Sequence, residues 1–406
     1  MRILHVPHAY WPVHGGAERL CRGLSEELAN RGHQVRVLTA NIASPEAYYR
    51  FGVPRVGPAR QTLHGVEVVR VAFQGGAYQA GQAVSRLPIG RSREGLSRRL
   101  LESARGRFCR LLQGEIEAFA PDVVMTLPHL LVNVRCVLRA HHAMGFPLVV
   151  APLMHEDDPY WPEAELREAL AGVEGVVAST SHEAERLRTA YRVPPERVFT
   201  AGMAAELPPP LRQERRRPWV LSLGRKAPSK DLGHLLAAMR LVWEDDPGIQ
   251  LVLAGARVPM TGQVDELLAT LPPDERRRVI SLDDVSEEEK GELLRVAACL
   301  ALPSKIESFG IVLLEAWAHG MPVVALDLPV LRSTVETGKD GLLVEPDDPD
   351  ELAEAILFLV HNHQQAEAMG RAGREKVEQR YTWAKVADRY LEAYEQARAI
   401  VPSARG

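Results

Sequence analysis

The sequence predicts an α/β protein built from two doubly wound parallel-sheet domains, on three observations. Short apolar runs of strand length alternate with stretches whose apolar residues recur at helical spacing, which is the pattern of βαβ units. The triplet Pro208-Pro209-Pro210 interrupts this series midway, and a second series begins after it. With 406 residues, 46% of them hydrophobic and 25% charged, the chain is long enough for two cores and too apolar to stay disordered.

The first strand is Ile3-Leu4-His5-Val6, followed by a loop that carries Gly15-Gly16. Ala17, Leu20, Cys21, Leu24 and Leu28 then repeat at helical spacing, Gly32 stops that helix, and Val35-Arg36-Val37-Leu38 is the next strand. Residues 122–127, 147–151 and 175–179 continue the theme, and Thr180-Ser181-His182-Glu183 reads as a capping box opening a helix. Residues 1–207 therefore form the first domain. The prolines and the charged stretch that follows suit neither a helix nor a central strand, so residues 208–217 are the expected linker. The second domain, 218–380, has strands at 219–224, 249–255, 279–282, 299–303, 323–326 and 342–344. Residues 381–406 close the chain with a helix marked by Val386, Tyr390, Leu391 and Tyr394, which can pack back on the first domain.

Charge is uneven. The net charge of -4 divides into +3 for residues 1–210 (24 Arg against 21 acids) and -7 for the rest (25 basic against 32 acidic residues). Within residues 50–113, 12 Arg face only Glu67, Glu94 and Glu102, a basic excess that invites an anionic partner. Arginines and leucines alternate from Arg91 through Leu101 towards Phe108, Leu111, Leu112 and Ile116. Such an amphipathic helix suits an anionic membrane face; alternatively, its leucines turn to the core and its arginines to solvent. Nothing here reads as a nucleic-acid module. No apolar run approaches the ~18–20 residues of a membrane span, and the amino terminus reads as a strand, so a cytoplasmic protein is expected, possible inner-membrane association aside. Cys21, Cys109, Cys136 and Cys299 lack disulfide or metal-ligand spacing and read as packed thiols.

The chemistry-bearing motifs fall where strands end. Gly224-Arg225-Lys226-Ala227-Pro228-Ser229-Lys230-Asp231 follows a strand and precedes a helix, and there Arg225 and Lys230 can clamp a diphosphate. Pro303-Ser304-Lys305-Ile306-Glu307-Ser308-Phe309-Gly310 leads into a helix starting at Ile311, with Glu307 in the loop and Glu315 inside the helix. The amides around Ser308, Phe309, Gly310 and Ile311 then make an anion site at a helix amino end, beside two carboxylates able to hold hydroxyls. The plainer alternative makes Glu307 a cap and Glu315 a solvated residue. His155, in Met154-His155-Glu156-Asp157-Asp158, follows another strand and can donate to a phosphate or a sugar hydroxyl. Neither Gly15-Gly16 nor Gly255-Ala256-Arg257 completes a dinucleotide fingerprint, and no metal set is expected.

Together, Gly15-Gly16, the Gly-Arg-x4-Lys of Gly224, Arg225 and Lys230, the Pro-Ser-x2-Glu-Ser-Phe-Gly-x5-Glu of Pro303 to Glu315, and Gly320-Met321-Pro322-Val323-Val324-Ala325 resemble the retaining GT-B glycosyltransferases of family four. The resemblance spans nearly the whole chain and is strongest over residues 219–350. It implies two Rossmann-like domains facing a cleft and a nucleotide-diphospho-sugar as donor substrate, with no further cofactor and no metal. It makes Arg225 and Lys230 the diphosphate ligands, Glu307 the contact to sugar hydroxyls, Glu315 the ribose contact, and Phe309 and Gly310 sources of backbone amides. Gly16 approaches the phosphate, His155 meets the sugar, and Ile280 and Leu282 flank the base. The acceptor is a sugar, a small molecule or a lipid-linked hydroxyl. The sequence departs from the family at Gly255-Ala256-Arg257, which usually reads Gly-x-Gly, and at residues 200–205, which lack the usual Asn-Gly-Val-Asp. Rival readings on the same architecture are a sugar-nucleotide epimerase, a sugar phosphorylase and a non-catalytic sugar-nucleotide-binding protein.

Overall fold

The computed structural model describes residues 1–42, 56–73, 106–128, 132–154, 163–209, 216–227, 230–258 and 261–401. The chain divides into two compact units, one of Met1–Ser179, Glu183–Ala201 and Val386–Gly406, the other of Thr180–His182 and Gly202–Lys385. Each holds one twisted sheet with helices packed on it.

The first unit carries β1 (Arg2–Pro7), β2 (Gln34–Ala40), β3 (Arg60–Leu63), β4 (Val66–Val71), β5 (Val123–Leu127), β6 (Leu148–Val150), β7 (Gly175–Ala178) and β8 (Val198–Thr200). They line up in the order β3-β4-β2-β1-β5-β6-β7-β8. Neighbours pair in parallel except β3 with β4, whose registers run antiparallel from Arg60 opposite Val69 to Leu63 opposite Val66. The helix Gly16–Asn30 buries Leu20, Cys21, Leu24 and Leu28 against this sheet, the stripe expected from their spacing. The β3–β4 hairpin and β8 were not among the expected strands. β3 shows no apolar alternation to announce it, and β8 is three residues long.

Two expectations for this unit need correction. Cys109 and Cys136 are joined in a disulfide with Cα atoms 4.8 Å apart, while Cys21 and Cys299 are free and buried. Sequence spacing carried no hint of the bond, because helix packing alone brings residues 109 and 136 together. The amphipathic surface also shrinks: Phe108, Leu112 and Ile116 are buried and only Leu111 is exposed, so the described part of that segment turns its apolar residues to the core. Residues 91–101 lie outside the described residues. Of the arginines in the basic excess, Arg60 pairs with Glu67 and Glu115, and the buried Arg70 donates to the carbonyls of Trp11 and Pro58.

Polar groups also fasten this core. Buried His5 lies 2.7 Å from the Ser25 hydroxyl through Nδ1 and 2.9 Å from the Tyr394 hydroxyl through Nε2. Because Ser25 gives its proton to the Cys21 carbonyl, it accepts from Nδ1–H, and Nε2 accepts from Tyr394. Burial pushes the His5 imidazole down to about 3. Glu183 reaches back one residue beyond a capping box, accepting from the Ser179 amide and hydroxyl, both at 2.6 Å, and from the Met154 amide at 2.8 Å.

The second unit carries β9 (Arg217–Leu223), β10 (Gln250–Gly255), β11 (Val279–Asp283), β12 (Ala297–Leu302), β13 (Val323–Leu326) and β14 (Gly341–Val344). Their order is β11-β10-β9-β12-β13-β14, with every neighbour parallel. Cys299, Leu300, Ala301, Leu251, Leu253 and Val324 form its centre with the helix Leu232–Asp245. The unit starts at Gly202, ahead of the triple proline. The expected linker ends inside it, since Arg217 opens β9 and Arg216 donates to the carbonyls of Leu294, Arg295, Ala297 and His319. Residues 210–215 lie outside the described residues.

Candidate active site

Chain order in the second sheet reverses between β9 and β12, since β9 leads outward to β10 and β11 while β12 leads outward to β13 and β14 on the other side. Such a switch point opens a crevice at the carboxyl ends of its two strands, where open α/β sheets bind ligands. Both motifs singled out in the sequence emerge there: the loop after β9 holds Gly224, Arg225 and Lys230, and the loop after β12 holds residues 303–310.

Arg225 is exposed, whereas Lys230 is half-buried and sets its Nζ 2.5 Å from Oε1 of Glu307. The two loops are tied again nearby by Lys305, whose Nζ lies 3.0 Å from an Asp231 carboxylate oxygen and also pairs with Asp347. Asp231 caps the helix Leu232–Asp245 by accepting from the His234 amide. Pro228 and Ser229 lie outside the described residues.

The helix Ile311–Ala318 starts at Gly310, whose φ of 81° is left-handed and whose position has no side-chain cap. An added Cβ at Gly310 would stand 3.0 Å from Leu313 and 3.2 Å from Leu331, a tight fit, and the left-handed backbone itself favours glycine. Among the described residues no side chain caps this start, so the first-turn amides keep the partial positive charge of a helix start. Phe309 is buried and meets Tyr381 edge-to-face at 5.7 Å, which leaves its backbone as the part able to reach a ligand. Leu313, Leu314, Ala316, Trp317 and Ala318 anchor the helix in the core. Glu315, buried on the same helix, receives Lys290 Nζ at 2.8 Å on Oε1. The two glutamates of the motif are thus each matched to a lysine from a different segment, which excludes the plainer reading of Glu315 as a solvated residue.

Ile280 and Leu282 are half-buried on β11. Between and beyond them, buried Lys226 donates to Ser281 Oγ at 2.7 Å and to Asp283. Arg257 bonds Asp283 at 2.6 Å and Asp265 at 2.6 Å. Lys226 first and Arg257 second hold the Asp283 carboxyl below the usual carboxylate range. The loops after β9, β10 and β11 are closed on one another at Gly255, with φ of 153°, where an added Cβ would lie 1.7 Å from the Gly224 carbonyl oxygen. That contact gives a physical reason for the first glycine of the Gly-x-Gly position, and the next residue, Ala256, accepts from the Lys226 amide at 3.1 Å.

In the first unit, Gly15 precedes the helix Gly16–Asn30 in extended backbone, and a Cβ there would lie 2.2 Å from a Glu18 carboxylate oxygen. His155 lies outside the described residues. Sequence reasoning missed Lys226 and Lys290. Lys226 was masked by its cationic neighbours Arg225 and Lys230, and the signal for Lys290 was its place in the first turn of a helix announced by the capping box Ser286 and Glu289.

Residues 14–201 match the family profile described as Glycosyltransferase Family 4, and residues 205–376 match that of Glycosyl transferases group 1. The fold and this site define a GT-B glycosyltransferase architecture, and the chain belongs to family four of that class. It is 30% identical over 243 residues to D-inositol 3-phosphate glycosyltransferase of Jonesia denitrificans, covering 55% of this chain and 57% of that one. The alignment therefore spans little more than half of that relative's length. Sucrose-phosphate synthase from Thermosynechococcus elongatus superposes with a TM-score of 0.75 at 19% identity, covering 98% of this chain and 100% of that one. Anabaena HepE, solved in complex with UDP and glucose, gives a TM-score of 0.70 at 18% identity over 97% and 99% of the two chains.

Proposed function

We propose that this chain transfers a sugar from a nucleoside-diphospho-sugar to a hydroxyl acceptor, with retention of anomeric configuration and without a metal ion. The observation that carries the reading is the convergence, at one switch point, of Lys230, Glu307, Glu315 and an uncapped helix start. Cations and helix amides suit a diphosphate, and two carboxylates suit the hydroxyls of a sugar and a ribose. The relative D-inositol 3-phosphate glycosyltransferase and the UDP and glucose in the HepE complex support the same substrate classes.

In the proposed reaction the bond between the sugar C1 and the leaving phosphate oxygen breaks while C1 bonds to the acceptor oxygen. The acceptor proton passes to the departing phosphate. Negative charge grows on the diphosphate as the bond breaks, and Arg225, Lys230 and the first-turn amides of Ile311–Ala318 stabilise it. That charge complement is the argument for metal independence. Lys230 turns its ammonium from Glu307 towards the phosphate, which frees the Glu307 carboxylate for sugar hydroxyls. His155 and the Gly15-Gly16 backbone are assigned to the sugar and the phosphate, and Ile280 and Leu282 to the base. A lipid-linked acceptor on an anionic membrane rests on residues 91–101, and sedimentation with anionic liposomes at low and high salt tests it.

Proton NMR of the product tests the reaction itself. Retention with full activity in EDTA is the expected result; an inverted anomer, or activity restored only by Mg²⁺ or Mn²⁺, overturns it.

A further inference from the structure

Glu315 is a carboxylate buried on an otherwise apolar helix, with 7% of its side chain exposed. A carboxylate in that setting needs a partner to remain charged and oriented. Among the described residues Lys290 partners it, with its side chain 15% exposed and its Nζ 2.8 Å from Oε1. The other contact of Lys290, to Glu287, is a same-helix pair with a carboxylate 81% exposed, a kind of pair that contributes little. Lys290 is itself well fixed. It sits in the first turn of the helix Glu287–Val296, its amide donates to the Ser286 carbonyl at 2.9 Å, and Ser286 and Glu289 close a capping box around that turn.

The two lysine–glutamate pairs of the site therefore differ in kind. Lys230 has a second task, the diphosphate, so its bond to Glu307 is one that a donor breaks. Lys290 comes from the segment after β11 and has no second task, so its bond to Glu315 persists when the donor is bound.

We propose that Lys290 is a positioning residue that makes the site selective for ribose. By holding one oxygen of the Glu315 carboxylate, it fixes the plane of that group so that it accepts from the ribose hydroxyls instead of rotating away. The inference rests on the reading of Glu315 as the ribose contact in the proposed transferase.

The test is isothermal titration of the parent, Lys290→Met and Lys290→Arg with UDP, GDP and ADP and with their 2′-deoxy counterparts. The parent is expected to prefer its ribonucleotide over the 2′-deoxy form by about tenfold, the scale of one hydrogen bond to a charged group. In Lys290→Met the ribonucleotide should weaken by about tenfold while the 2′-deoxynucleotide stays within about threefold, and Lys290→Arg should recover most of the preference. A loss shared equally by both nucleotides would mark a merely structural role, and a Met variant as selective as the parent would also overturn the assignment of Lys290 while leaving the site reading intact. A parent that binds no ribonucleoside diphosphate overturns the site reading, and this inference with it. If the Met variant does not fold, Lys290→Gln gives the same comparison.

Discussion

In the first unit, the buried polar groups His5 and Glu183 are spent on fastening. His5 joins β1 to the closing helix through Tyr394, and Glu183 gathers the amides of Ser179 and Met154. In the second unit, two charged pairs stand at the carboxyl ends of the strands, Lys230 with Glu307 and Lys226 with Asp283. A network sealed in a core is exchanged for nothing, whereas a pair at a strand end can trade one partner for a ligand. Even in the second unit a sealed pair occurs, Lys376 with the fully buried Asp340, and it sits beneath Trp317 on the reverse of the site helix instead of at its start.

The largest expected effect breaks an exchangeable pair. Lys230→Ala should lower kcat by about a hundredfold, roughly 3 kcal/mol of transition-state stabilisation, with a smaller change in KM. Turnover within about threefold of the parent would place the charge stabilisation elsewhere.

The next effect is on stability. Gly255→Ala puts a Cβ against the Gly224 carbonyl in a backbone region that disfavours side chains, and about 2–3 kcal/mol should be lost. Denaturant unfolding that finds the variant as stable as the parent would contradict the described closure of the three loops.

Much of this second unit was legible in the sequence, and the reasons differ from element to element. β10, β12 and β13 are largely apolar runs, as strands covered on both faces must be, and the Ser-Phe-Gly motif announces the site helix because the left-handed backbone at position 310 favours glycine. The capping box of Ser286 and Glu289 could place Lys290 in a helix, but its pairing with Glu315 was not legible, because that partner is 25 residues away and only the packing of two helices joins them. In the first unit, the disulfide and the β3–β4 hairpin were hidden for the same reason: both depend on tertiary pairing and neither on periodicity.

A third prediction probes the sealed network by pH. Burial holds the His5 imidazole at about 3, below its unfolded value, so the unfolded chain takes up the proton first. The stability contributed by the neutral imidazole is present above about pH 6.5 and is lost as pH falls towards 3, at about 1.4 kcal/mol per pH unit. His5→Gln should therefore be less stable than the parent at pH 7, and the gap should narrow between pH 6.5 and 4.5. Parallel pH profiles would refute the network as drawn.

The smallest effect concerns the disulfide. Denatured, unreduced protein should titrate two thiols, Cys21 and Cys299, and four after reduction. Donor turnover should change by no more than about twofold on reduction, because among the described residues the two sulfurs share no partner with Arg225, Lys230, Glu307 or Glu315. Four thiols before reduction would show the bond absent.

The claim at the centre of this account is that Lys230 and its neighbours at the β9–β12 switch point hold a nucleotide sugar, and thermal shift tests it most directly. Parent and Lys230→Ala are each heated with a panel of UDP-, GDP- and ADP-sugars, since a ligand that binds only the folded chain raises its melting temperature by mass action. The account predicts that at least one donor stabilises the parent and that the same donor, at the same concentration, stabilises Lys230→Ala less, in keeping with the smaller change expected in KM. An equal rise in both proteins, or no rise with any donor, would contradict it.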